Sequence, residues 1–110
     1  MSPWESLSEA HWEALRGAPL PFLLVYKHSN RCPVSTWAKR SLQTVPAYPW
    51  PLVEVDVIGQ RPLSQRIAAD LQVHHESPQL ILVKHGQAVA QVSHDSVTAD
   101  TVALWEKTFS

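Results

Sequence analysis

The strongest indication of the fold lies in residues 21–35, PFLLVYKHSNRCPVS. This stretch starts with a short, uniformly apolar run from Phe22 to Tyr26, which is typical of a strand that is covered on both faces in an α/β sheet. A polar loop from Lys27 to Arg31 follows, and then comes Cys32. Pro33 is well suited to the first position of a helix, where its missing N–H needs no partner. The pattern therefore predicts that Cys32 is the N-cap of a helix that starts just after a buried strand.

Apolar residues recur at helical spacing in four segments of the chain. A helix is predicted over about residues 7–16, with Ser6 as the N-cap of a capping box, and others start at Pro62 and after Thr98. The helix after Cys32 is predicted to bury one face, which is formed by Val34, Trp37, Ala38, Leu42 and Val45. Of the other tryptophans, Trp105 is expected on an inner face and Trp50 is expected to be partly exposed.

Three further segments have strand patterns. Residues 53–57 alternate between valine and acidic residues, which predicts a strand with one solvated face at an edge of the sheet. Residues 80–83 are uniformly apolar, and the pair His85-Gly86 predicts a tight turn into a strand over residues 88–92. The order α-β-α-β-α-β-β-α is thioredoxin-like. It predicts an α/β fold with a four-stranded mixed sheet and helices on both faces, because parallel crossovers are nearly always right-handed.

Length and composition limit the classes of function. The chain has 110 residues and is 45% hydrophobic, which predicts a single domain over residues 1–110. A net charge of -1 gives no electrostatic case for binding nucleic acid or an anionic membrane. No apolar run approaches the roughly 20 residues that span a bilayer, and the N-terminus lacks a secretory pattern. We therefore expect a cytoplasmic protein that acts as a monomer.

The single cysteine carries the chemistry that the sequence predicts. Cys32 cannot form an internal disulfide, and one thiolate is too few for a structural zinc site, so no metal is expected. A helix N-terminus stabilises a thiolate, and Arg31 and Lys27 are expected to add positive charge nearby. The alternative is a buried cysteine that acts as a small hydrophobic residue.

Ser35 stands where a dithiol oxidoreductase carries its second cysteine. Serine cannot resolve a mixed disulfide, so resolution must come from a small thiol or from another protein. The Ser35 hydroxyl either hydrogen-bonds to the sulfur or is an ordinary polar group of a first helical turn. In a thioredoxin-like fold, Pro78 is expected to follow a cis peptide bond across from Cys32, with the backbone of Ser77 exposed to substrate. The alternative is a trans proline at the start of a strand.

Four blocks of sequence resemble the monothiol bacilliredoxins of the bacillithiol system. They are residues 27–35, residues 61–64, residues 75–79, and Ser93-His94 followed by Val97-Thr98. The resemblance implies a thioredoxin-like fold and removal of bacillithiol from S-bacillithiolated proteins through a mixed disulfide.

By this resemblance Cys32 is the nucleophile and Pro78 is the cis-proline, and Arg31, Pro33, Ser35 and Ser77 are neighbours in the substrate-binding site. No bound cofactor is implied, because bacillithiol is a thiol co-substrate, and the partners are bacillithiol and its client proteins. The chain departs from the family in its proline-rich connector, residues 46–51, and in its tryptophan content.

Two other functions remain open from the sequence. One is a non-enzymatic thioredoxin-like interaction module in which Cys32 is only a regulatory thiol. The other is a glutathione-dependent monothiol glutaredoxin. Against the glutaredoxin, Cys32 is followed by proline, and no paired glycines follow the predicted hairpin to hold a glutathione carboxylate.

Overall fold

A computed structural model describes residues 4–18 and 21–109 of the chain. The expected single domain covers residues 1–110, of which residues 1–3, 19–20 and 110 lie outside the described residues. The elements, in chain order, are β1 (Glu5–Ser6), α1 (Glu9–Gly17), β2 (Leu23–His28), α2 (Pro33–Leu42), β3 (Leu52–Asp56), α3 (Arg61–Leu71), β4 (Gln79–Lys84), β5 (Gln87–Ser93) and α4 (Ala99–Phe109), with a 3-10 turn at His94–Ser96.

The strands form one mixed sheet in the order β1-β3-β2-β4-β5. Strands β1, β3 and β2 are parallel, whereas β4 is antiparallel to both β2 and β5. The α/β, thioredoxin-like fold is confirmed, but the sheet has five strands rather than the predicted four. The missed strand β1 has two residues, too few for an alternating pattern, and its Glu5 lies beside Val53. Strand β3 is therefore partly covered along the side that was predicted to be a free edge.

Alternate side chains of β2 enter two separate hydrophobic cores, one on each face of the sheet. Leu23 and Val25 pack with α1 and α3, whereas Leu24 and Tyr26 pack with α2 and α4. All six residues of β2 are buried, as expected for the central strand of a sheet with helices on both faces. This double burial rigidly fixes the strand that leads to Cys32.

Most helix starts and turns lie where the capping and turn residues of the sequence predict them. Thr98 caps α4 by accepting a hydrogen bond from the Thr101 N–H, and His85 and Gly86 adopt positive φ in the β4–β5 turn, as predicted. The first helix differs from its prediction, because its N-cap is Ser8, which accepts a hydrogen bond from the His11 N–H. Ser6 cannot serve as the cap because it belongs to β1.

Two of the three tryptophan predictions are corrected by tertiary packing. Trp105 is buried as predicted, but Trp37 is 67% exposed and Trp50 is buried. Helix α2 buries Ala38 and Leu42, as predicted, together with Ser35, whereas Val34 is exposed like Trp37, so the inner face lies to one side of Trp37. Trp50 is held in the interior by the ring of Phe22, at a centroid distance of 4.9 Å.

Candidate functional site

Cys32 occupies the N-cap of α2, directly after the loop that leaves β2, as the sequence predicted. Its backbone is extended, with φ -109° and ψ 116°, and Pro33 starts the helix. The Cys32 carbonyl accepts the first helical hydrogen bond from the Thr36 N–H at 3.3 Å, and its own N–H donates to the Ser29 carbonyl at 3.3 Å. The thiol is partly exposed, so the interpretation as a buried hydrophobic residue does not fit.

Ser35 holds the loop before the cysteine in place. Its side chain is fully buried, and its Oγ accepts a hydrogen bond from the Ser29 N–H at 3.2 Å. The Ser29 hydroxyl in turn accepts from the Arg31 N–H at 3.3 Å. The serine that replaces a second cysteine is therefore part of the hydrogen bonding that shapes the loop.

The first turn of α2 lowers the pKa of the Cys32 thiol. The main cause is the backbone N–H of Ser35, helped by the N–H of Val34 and by the Ser35 hydroxyl, and partial burial opposes them. These groups favour a thiolate, because unpaired N–H groups and the positive end of the dipole lie at a helix N-terminus. The shift comes from this helix end and not from Arg31 or Lys27.

Lys27 lies in the interior and not in a polar loop, so that prediction was wrong. It belongs to β2 and is fully buried on the side of α3, where its Nζ donates to the Ser64 carbonyl at 2.9 Å. The same Nζ lies 3.1 Å from His75 Nδ1. Burial lowers the pKa of Lys27 to about 8. The period-2 alternation of β2 turns this side chain away from Cys32.

Tyr26, on the other face of β2, contacts the cysteine helix. Its hydroxyl donates to the Ser35 carbonyl at 3.0 Å and lies 2.8 Å from His28 Nδ1. Because the single hydroxyl proton goes to the carbonyl, the second contact requires His28 to donate from Nδ1. Burial raises the pKa of Tyr26 and lowers that of His28. The sequence analysis missed this pair, although the spacing of two residues on a strand predicts a shared face.

The peptide bond between Ser77 and Pro78 is cis, as predicted. Gln79, the first residue of β4, pairs with Lys27 near the end of β2, so Pro78 lies at the edge of the sheet from which the chain continues to Cys32. The Pro78 carbonyl accepts a hydrogen bond from the His94 N–H at 2.9 Å. Among the described residues, Ser77 makes no hydrogen bond, and its Oγ is buried. Only the backbone of Ser77 is therefore available for a contact with substrate.

A cavity of about 340 Å³ opens beside Cys32. Two of the predicted site residues, Arg31 and Pro33, line it with the cysteine, whereas Ser35, Ser77 and Pro78 do not. The other lining residues, which the sequence analysis missed as site residues, are Asn30, Thr36, Trp37 and Arg40. A larger cavity, of about 770 Å³, lies near the β4–β5 turn at the opposite end of the sheet and is lined by Arg16 and His85 among others.

Within residues 4–18 and 21–109, no group of three His, Cys, Asp or Glu side chains is placed to hold a metal ion. Across the same residues, no helix is both long enough and apolar enough to cross a membrane.

Comparison with known proteins decides the family. The family model described as monothiol bacilliredoxin BrxC matches residues 8–102. The chain belongs to the monothiol bacilliredoxin family. A candidate oxidoreductase with a thioredoxin fold resembles this bacilliredoxin over 93% of the chain and 92% of its own length, with 27% identity and a TM-score of 0.77.

Two thioredoxins share the fold of this bacilliredoxin. The reduced thioredoxin pre-protein of Schistosoma mansoni is 18% identical, with a TM-score of 0.75 and coverage of 99% of this chain and 100% of its own. The thioredoxin of Malassezia sympodialis is 14% identical, with a TM-score of 0.74 and coverage of 96% and 91%. The family and the fold together give this chain a thiol redox role, as a thiol-disulfide oxidoreductase.

Proposed function

We propose that the chain removes bacillithiol from S-bacillithiolated proteins through a mixed disulfide at Cys32. The observation that carries this proposal is the placement of the only cysteine at the N-cap of α2, where Ser35 lowers its pKa and cannot act as a second thiol. In this proposal the chain acts in the cytoplasm as a monomer. A reducing compartment suits the proposal because it keeps an unpaired thiol ready to react.

The exchange step conserves the number of disulfide bonds. The Cys32 thiolate attacks the bacillithiol sulfur of the client's mixed disulfide, and a bond between Cys32 and bacillithiol forms as the bond to the client breaks. The client sulfur leaves as a thiolate and takes a proton from water. Because no other cysteine exists in the chain, a second small thiol or a thiol of another protein must then attack the new disulfide to restore Cys32.

The remaining site residues have proposed roles that follow from their placement. Arg31 and Pro33 form the wall of the cavity beside the sulfur, and Ser35 stabilises the thiolate. The backbone of Ser77, which precedes the cis bond to Pro78 and makes no hydrogen bond among the described residues, can pair with an extended substrate. We expect Pro78 to lie within contact distance of Cys32 Sγ.

The test is intact-mass analysis after the reduced protein is mixed with an S-bacillithiolated client. We expect the client to lose one bacillithiol and this chain to gain one, with Cys32→Ser inert in the same assay. The same client carrying glutathione is the matched control. Equal processing of both clients would refute the bacillithiol assignment and leave monothiol exchange standing. If neither client is processed although iodoacetamide alkylates Cys32, the chain is an interaction module with a regulatory thiol.

A further inference from the structure

The cavity beside Cys32 follows one stripe of α2. Pro33, Trp37 and Arg40 are spaced by four and three residues, so they lie on the same side of the helix and lead away from the sulfur. At about 340 Å³, the cavity is at the lower end of the range for small-molecule sites. The space adjoins the nucleophile and can hold the part of a small thiol that does not react.

The charged side chains that line this cavity are all positive. Arg31 and Arg40 both line it, and no acidic side chain of the described residues does. Neither arginine forms an ion pair within the part of the chain that the structure describes. By contrast, the neighbouring Lys39 is paired with Glu54 at 2.9 Å. Both guanidinium groups therefore remain available to an anion that enters from solvent.

Trp37 explains how Arg40 is held. Its indole is 67% exposed, and the guanidinium carbon of Arg40 lies 5.6 Å from the centre of the ring. Such a cation–π contact restrains the long arginine side chain and leaves its N–H groups able to bind a carboxylate through two hydrogen bonds. Trp37, whose burial was expected from the helical pattern, therefore lies on the surface and restrains Arg40 beside the cavity.

We infer that this cavity selects small thiols that carry carboxylates, with Arg31 and Arg40 binding the anion and Trp37 positioning Arg40. The inference rests on the proposed function, because it concerns the small thiol that Cys32 accepts. In the exchange step the carboxylate stays bound while the Cys32–thiol disulfide forms and the client thiolate leaves. Charge recognition thereby favours attack on the sulfur of the small thiol over attack on the sulfur of the client.

The experiment uses a neutral peptide with one cysteine, capped in turn by 3-mercaptopropionate, 2-mercaptoethanol and cysteamine. These caps are anionic, neutral and cationic. The rate at which each cap moves to Cys32 is divided by its rate with a neutral peptide thiol, which removes the intrinsic reactivity of each disulfide. We expect the order anionic, neutral, cationic, with differences that shrink as salt is added, because exposed charges are screened.

Variants of α2 separate charge recognition from the chemistry of Cys32. We expect Arg40→Gln to slow transfer of the anionic cap by about threefold, the size expected for one exposed ion pair, with the neutral cap unaffected. Trp37→Leu should also slow transfer of the anionic cap, and Trp37→Phe should retain most of the wild-type rate for that cap. Lys107→Gln, at the far end of α4, removes the same charge and should leave all three rates unchanged.

The outcomes distinguish this inference from the proposed function. If all three caps transfer at equal normalised rates, or if Lys107→Gln acts as Arg40→Gln does, charge selection by this cavity is wrong and thiol transfer stands. If no cap moves while iodoacetamide still alkylates Cys32, the proposed function fails and the inference fails with it.

Discussion

Two adjacent residues near the end of β2, Tyr26 and Lys27, support opposite faces of the sheet. Tyr26 and Lys27 are both fully buried, but the pleat of the strand sends them to opposite faces of the sheet. Tyr26 binds the carbonyl of Ser35 in α2, whereas Lys27 binds the carbonyl of Ser64 in α3. Burial disfavours the charged form of each, so it raises the pKa of the phenol and lowers that of the amine.

The two contacts organise different halves of the site. Tyr26 fixes the first turn of α2, whose Ser35 N–H lowers the pKa of Cys32. Lys27 contacts His75, in the loop that leads to the cis bond before Pro78. One strand end therefore supports both the nucleophile and the edge of the sheet that is expected to bind substrate. Changes on the Tyr26 face should alter the thiol, and changes on the Lys27 face should alter stability without altering the thiol.

The largest expected effect is on the Lys27 face. Lys27→Ala should lower the free energy of unfolding by about 3 kcal/mol, because it empties buried volume and removes the donor to the Ser64 carbonyl. Lys27→Met, which keeps the volume, should cost less. Urea denaturation measures both, and the rate of Cys32 alkylation should stay at the wild-type value. Equal losses in the two variants would show that the buried volume contributes nothing.

The pH dependence of stability should show the titration of Lys27. Its pKa is about 8 in the folded chain and near the ordinary lysine value of 10.5 in the unfolded chain. The unfolded chain therefore binds more protons between these values, and the free energy of unfolding should rise with pH across that window. We expect wild type to gain about 2.5 kcal/mol relative to Lys27→Met from pH 8 to 10.5. Parallel curves for the two proteins would contradict a lowered pKa.

On the opposite face, Tyr26→Phe should lower the free energy of unfolding by about 1.5 kcal/mol, because the Ser35 carbonyl and His28 Nδ1 both lose the buried hydroxyl as a hydrogen-bond partner. The same change should move the pH profile of Cys32 alkylation to higher pH, since it loosens the turn that stabilises the thiolate. Lys27→Met is the matched control and should leave that profile in place. If both variants shift the profile, the two faces do not act separately.

The smallest effect concerns the hydroxyl beside the sulfur. Ser35→Ala should raise the pKa of Cys32, because one of the groups that lower it is removed. At pH 7 the alkylation rate should fall by about threefold, the equivalent of one modest hydrogen bond. The rate should recover at a pH where the thiol is fully ionised. Thr108→Ala, which removes an exposed hydroxyl near the end of α4, serves as the control, and a loss that persists at high pH would point to altered access instead.

Much of the site could be predicted from local sequence. The apolar run of β2, followed by a polar loop and by Pro33, placed Cys32 at a helix N-cap. That cap depends on near neighbours, because it is determined by residues within a few positions of one another. The cis bond before Pro78 was expected from the thioredoxin-like order of the elements, since the pair Ser77-Pro78 by itself allows either isomer. The matched blocks also predicted the family, which the family model confirms.

The amino-acid sequence is enough to give the order of most elements, the position of the thiol and the absence of a second cysteine in the chain. Three other features depend on tertiary packing: Lys27 is buried, Trp37 is exposed beneath Arg40, and the two-residue strand β1 joins the sheet. Periodicity shows only which way a side chain points along one element. The burial of a side chain and the partner of a charge depend on contacts between residues that are distant in the chain.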